Sequence, residues 1–118
     1  MRYVMLINGV EDDWYEATPE MRAESMAAVG NWFEKWSAAG KIGAGGAQLD
    51  RVDTAKTIRP GAELGVVVTD GPFVELKEVI GGIVMLEADS IDEAVSIASE
   101  WPTLRGSNSV EVRPTIDM

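Results

Sequence analysis

Charge able to do chemistry collects between positions 70 and 78. Asp70 ends the β-branched run Val66-Val67-Val68-Thr69 and precedes Gly71-Pro72-Phe73, with Glu75, Lys77 and Glu78 close behind. A carboxylate at the end of an apolar strand is expected to be partly desolvated, which raises its pKa toward a range useful to a general base. Asp70 is therefore the candidate catalytic residue, Phe73 a candidate pocket wall, and Lys77 and Glu78 candidate ligand contacts. Arg113, in Val110-Glu111-Val112-Arg113-Pro114, is the candidate for a bidentate hold on an anionic ligand. Structural roles compete at each position. Asp-Gly-Pro is ordinary turn chemistry, in which Asp accepts backbone N–H bonds. Phe73 suits a core. Glu75, Lys77 and Glu78 suit an exposed mixed-charge segment worth little energetically. Arg113 suits a pair near Glu111 or in another subunit.

Composition narrows what such residues can do. The 118 residues include no Cys and no His. Thiolate nucleophiles, disulfides and Cys-based metal sites are excluded. So are the usual general base at neutral pH and the commonest metal ligand. Proton transfer must use Asp, Glu, Lys, Tyr or a cofactor. A metal site would have to be all-oxygen, and no acidic run has the spacing of a calcium loop, so neither metal nor cofactor is expected. Twenty Asp and Glu against ten Lys and Arg give a net charge of −10. That balance argues against a nucleic-acid partner and favours solubility. Gly43, Gly45 and Gly46 are not followed by Lys-Ser/Thr, so they are not a phosphate loop. The apolar start, Tyr3-Val4-Met5-Leu6-Ile7, is too short to span a membrane and has no small-residue cleavage site. A cytoplasmic protein with no membrane partner is the expectation.

The elements that must position these residues follow from periodicity. Residues 2–8 and 81–87 are apolar on both alternating faces, the pattern of strands covered on both sides. Residues 9–18 read as an acidic loop holding Trp14, an aromatic outside any periodic pattern and placed to cap a pocket or join a dimer contact. Thr18-Pro19-Glu20 reads as a helix start, with the helix running to about Ala39 and stopping at Gly40. Met26, Val29, Phe33 and Trp36 form its expected buried stripe, with Trp32 off the stripe and Gly30 suited to close backbone packing. A short or irregular strand is expected within Lys41–Leu49. A hairpin, 55–59 with 64–69, turns at Pro60-Gly61-Ala62-Glu63. Ser90 and Glu93 form a capping box for a second helix, with Ala94, Val95, Ala98 and Trp101 inward and Pro102 ending it. The order β-α-β-(β-β)-β-α-β predicts one α+β domain, 1–118, with a ferredoxin-like sheet whose central strands are 2–8 and 81–87. Two helices cover one face only. A second copy packed sheet to sheet is the expected cover for the other, with a long loop over the sheet of a monomer as the alternative.

Tyr3-Val4-Met5-Leu6-Ile7, Thr18-Pro19-Glu20-Met21, Val68-Thr69-Asp70-Gly71-Pro72-Phe73, Lys77-Glu78, Gly81-Gly82, Trp101-Pro102 and Val110–Pro114 together resemble the YCII-related, DGPF-domain family across nearly the whole chain. The resemblance implies a ferredoxin-like subunit that pairs as a dimeric α/β barrel. It implies no settled activity. Some members carry a His–Asp pair proposed as catalytic, and genes of the family often stand beside sigma factors. The aspartate corresponds to Asp70, whereas the histidine has no counterpart here. Two functions then compete. One is a small-ligand-binding protein or cofactor-independent enzyme with a pocket near Asp70, lying between helices and sheet or at a dimer cleft. The other is a non-catalytic regulatory or interaction module, linked to transcription. An oxygenase-like enzyme would rest on shared architecture alone.

Overall fold

The computed structural model describes residues 1–71 and 78–117. Its main sheet is antiparallel, in the order β2-β5-β1-β6, with β1 Arg2–Gly9, β2 Ala47–Gln48, β5 Val79–Glu87 and β6 Ser109–Pro114. The two strands read as apolar on both faces, β1 and β5, are the central pair. A second, two-stranded sheet is the hairpin of β3 (Lys56–Pro60) and β4 (Val66–Asp70). Three helices complete the described chain: α1 Glu11–Tyr15, α2 Pro19–Ala38 and α3 Ile91–Ala98. This α+β arrangement is compatible with a ferredoxin-like fold.

Register decides which side chains share a face. Tyr3 pairs with Leu86, Met5 with Val84 and Ile7 with Gly82, so these lie on the helix side of the sheet. Tyr3, Met5, Val84 and Leu86 are buried there against Ala94, Ile97 and Ala98 of α3. Val4, Leu6, Ile83 and Met85 point to the opposite face and are only half-buried.

Both long helices start as their sequences require. The Met21 N–H donates to Thr18 Oγ1 at 3.1 Å, and the Glu93 N–H donates to Ser90 Oγ at 3.1 Å. Each such cap is worth about 1 kcal/mol. The Glu93 carboxylate reaches one residue further back than a capping box requires and accepts from the Asp89 N–H at 3.2 Å.

Several sequence expectations need correction. The 9–18 segment is not all loop, because α1 forms within it. In α2, Val29, Phe33 and Trp36 of the expected stripe pack against the core, but the buried residue is Trp32, 4% exposed, and Met26 on the stripe is 46% exposed. Trp32 faces α3, where its indole N–H donates to the Ile97 carbonyl at 3.1 Å. Its ring stands edge-on to Phe33 and Trp101, with centroids 5.0 Å away in both cases. Gly30 packs against nothing, since a side chain there would meet no atom within 4 Å. Val95 is exposed, and α3 ends at Ala98, before Pro102 can act. Trp101 nevertheless turns inward, as expected, in the turn that follows.

Candidate ligand-binding site

α3 packs directly on β1 and β6, whereas the first half of α2 stands off the sheet. The gap is a cavity of about 780 Å³ with mostly apolar walls. Small-molecule sites commonly enclose roughly 300–1,000 Å³. Ile7, Gly82 and Val84 form the floor, and Ser25, Met26 and Val29 of α2 form one wall. Phe33 and Trp101 close the back. This explains why Met26 and Val29 follow the apolar stripe without being sealed in core: they face a void.

Two segments bound the opening. The first is the glycine-rich stretch before β2. Gly46 lies so close to β5 that a Cβ would come within 2.7 Å of the Ile83 carbonyl oxygen, so only glycine fits there. The second is α1, which contributes Glu11, Asp13, Trp14 and Tyr15 to the wall. α1 is only five residues long and is held from outside. Glu11 accepts from the Val52 N–H at 2.9 Å, and the Arg51 guanidinium lies 3.7 Å from Glu11 and 3.4 Å from Asp12. The same guanidinium stacks over the Tyr15 ring at 4.2 Å. A loop after α3 adds Arg105, which donates to Ser25 Oγ at 3.3 Å, and Asn108, which donates to the Thr103 carbonyl at 2.9 Å. The indole N–H of Trp101 is buried and has no hydrogen-bond partner among the described residues.

Of the candidates drawn from sequence, the described ones, Asp70, Glu78 and Arg113, do not line this cleft. Asp70 ends β4 on the hairpin, where its side chain is 85% exposed and ion-paired with Lys56. The expected partial burial is absent in the single chain, because the hairpin is a separate two-stranded sheet and the strand that ends at Asp70 is solvated. Glu78 is exposed at the foot of β5, outside the cavity wall. Arg113 sits on the sheet face opposite α3, and its Nε donates to Glu111 at 2.6 Å. Phe73, Lys77 and Glu75 lie outside the described residues. Thus Asp70, Glu78 and Arg113 do not converge in the single chain, and none of the three lines this cleft. Sequence reasoning passed over Glu11, Ser25 and Asn108. The one signal for this region was Trp14, an aromatic in a polar stretch, and it does line the cavity. Among the described residues, no group of acidic side chains is placed to hold a metal ion, and no helix is long and apolar enough to cross a membrane.

The molecule thus defines a class: an α+β subunit with a four-stranded antiparallel sheet and an apolar cleft between one helix and that sheet. The chain belongs to the YCII-related family, whose domain matches residues 1–118. It is also similar to an uncharacterized protein of Rhizobium meliloti (strain 1021), 34% identical over 106 residues, which cover 89% of this chain and 82% of that relative.

Proposed function

We propose that this protein binds a small organic molecule in the cleft between α2 and the sheet, either as a binding protein or as a cofactor-independent enzyme. One observation carries the reading: a cleft of about 780 Å³ lined mostly by apolar and aromatic side chains, with a smaller number of polar groups among them. A folded domain this small gains stability by closing such a gap, since interiors otherwise pack like organic crystals. That α2 stands away from the sheet is the cost a binding site accepts. Asp70 is not needed for this reading.

We place the protein in the cytoplasm as a homodimer, with the half-buried face of Val4, Leu6, Ile83 and Met85 turned toward a second copy in a dimeric α/β barrel. A second reading, an interaction module, draws on the hairpin. Ile58, Val66 and Val68 share one of its faces and are 56–66% exposed. A partner captured through that face without any cavity ligand would favour it.

The test is to fill the cleft. Wild-type protein should bind the uncharged fluorophore N-phenylnaphthylamine saturably. Val29→Trp, which projects an indole into the cavity, should abolish that binding while the protein still unfolds cooperatively. Undiminished binding by the folded variant would overturn the cavity as the site.

A further inference from the structure

The charged groups of the wall carry a net sign. Among the described residues of the wall, Glu11, Asp13 and Asp50 are acidic and Arg105 is the basic one. Arg105 is directed at Ser25. Of the three carboxylates, Glu11 is engaged by Arg51 and the Val52 N–H, and Asp50 accepts from the Arg51 N–H at 2.7 Å. Asp13 is exposed at the mouth on α1. The rest of the lining is mostly apolar and aromatic, with Trp14, Tyr15, Phe33 and Trp101, and includes six uncharged polar side chains, Asn8, Ser25, Gln48, Thr103, Ser107 and Asn108. Aromatic faces attract cations through their negative quadrupole and repel anions. Carboxylates at the mouth act in the same direction. An anion entering this cleft would lose its water and, among the charged groups of the described wall, meet three carboxylates and one guanidinium that already donates to a hydroxyl.

From this we infer that the cleft selects a small apolar organic cation, an amine on an aromatic or alicyclic body, and discriminates against carboxylates and phosphates of the same shape. The ring occupies the apolar floor and back. The ammonium stays at the mouth, half-hydrated, beside Asp13. This inference rests on the cavity being a ligand site.

Three probes with one ring separate charge from shape: naphthylmethylamine, naphthalenemethanol and naphthoate, titrated calorimetrically into the whole protein at neutral pH. At roughly 0.15 M salt the Debye length is about 8 Å, so distant charges contribute little. The amine should bind tightest, the alcohol next, and naphthoate at least about tenfold more weakly than the amine. Asp13→Asn should reduce the amine-to-alcohol affinity ratio about fivefold. Glu16→Gln removes the same charge from an exposed residue outside the wall and should leave that ratio unchanged. Naphthoate binding as tightly as the amine, or the two variants shifting the ratio equally, would overturn the ligand class. If the alcohol binds but charge makes no difference, the cavity reading survives and the class alone falls. If none of the three binds, both fall.

Discussion

At the residue scale, the most informative contact away from the cleft is Lys41 with Glu93. The ammonium donates to the carboxylate at 2.8 Å, joining the segment after α2 to the first turn of α3. The hydrogen bond from Lys41, and then that from the Asp89 N–H, hold the Glu93 carboxyl below the usual carboxylate range. The hydrogen bond to Glu93, in turn, holds the Lys41 ammonium above its ordinary value. The signs are opposite. Stability from Glu93 is present above its unfolded pKa and is lost as pH falls through the depressed folded value. Stability from Lys41 is present below its unfolded pKa and is lost as pH rises through the raised folded value. Glu93→Gln should therefore melt lower than wild type at neutral pH, and the gap should narrow as pH is brought from about 7 to about 3 in a series of thermal melts. A gap that stays constant across that range would mean the ion pair does not carry the effect.

At the element scale, legibility followed how local the cause was. The N-caps at Thr18 and Ser90, the stop at Gly40 (φ +75°) and the hairpin from Lys56 to Asp70 all depend on neighbours in sequence, and all appear. The central strands β1 and β5 were legible because each is an unbroken apolar run on both alternating faces, as a strand at the centre of a sheet tends to be. What failed depended on distant partners. The stripe of α2 was drawn as if the helix had one neighbour. It has two, so Trp32 turns toward α3 and Trp101 while Met26 faces a void. α1 escaped notice because five acidic and aromatic residues have no helical period, and the clamp that holds them, Arg51, lies about 40 positions away in sequence. A pocket between helices and sheet was among the expectations, but its lining could not be read: Ile7, Val29, Gly82 and Trp101 meet only once the chain is folded. Conversely, Asp70 and Glu78, the described members of the charge clustered along the sequence, do not line the cleft, and Asp70 ends a hairpin set apart from the main sheet.

At the scale of the whole molecule, the chain is more spread than its length requires. Its radius of gyration is 16.4 Å and its extents are 50 × 42 × 21 Å. A compact chain of this length would have a radius near 13.5 Å. The hairpin, apart from the main sheet, and the far side of that sheet both leave apolar side chains uncovered, and both are accounted for by the proposed second copy. Light scattering at low micromolar concentration should give twice the 12.7 kDa of one chain. Leu6→Glu, which sets a charge in the middle of the far face, should give the single chain. A wild-type particle of 12.7 kDa would contradict the dimer.

The central claim is that the site lies under α2 rather than at Asp70. The most direct measurement is an amide chemical-shift map of the wild-type protein titrated with N-phenylnaphthylamine. The largest shifts should fall at Ile7, Val29 and Gly82 and at the Trp101 indole N–H, with Asp70, Glu78 and Arg113 unmoved. Shifts gathered on Asp70 and the hairpin, with the cleft silent, would contradict it.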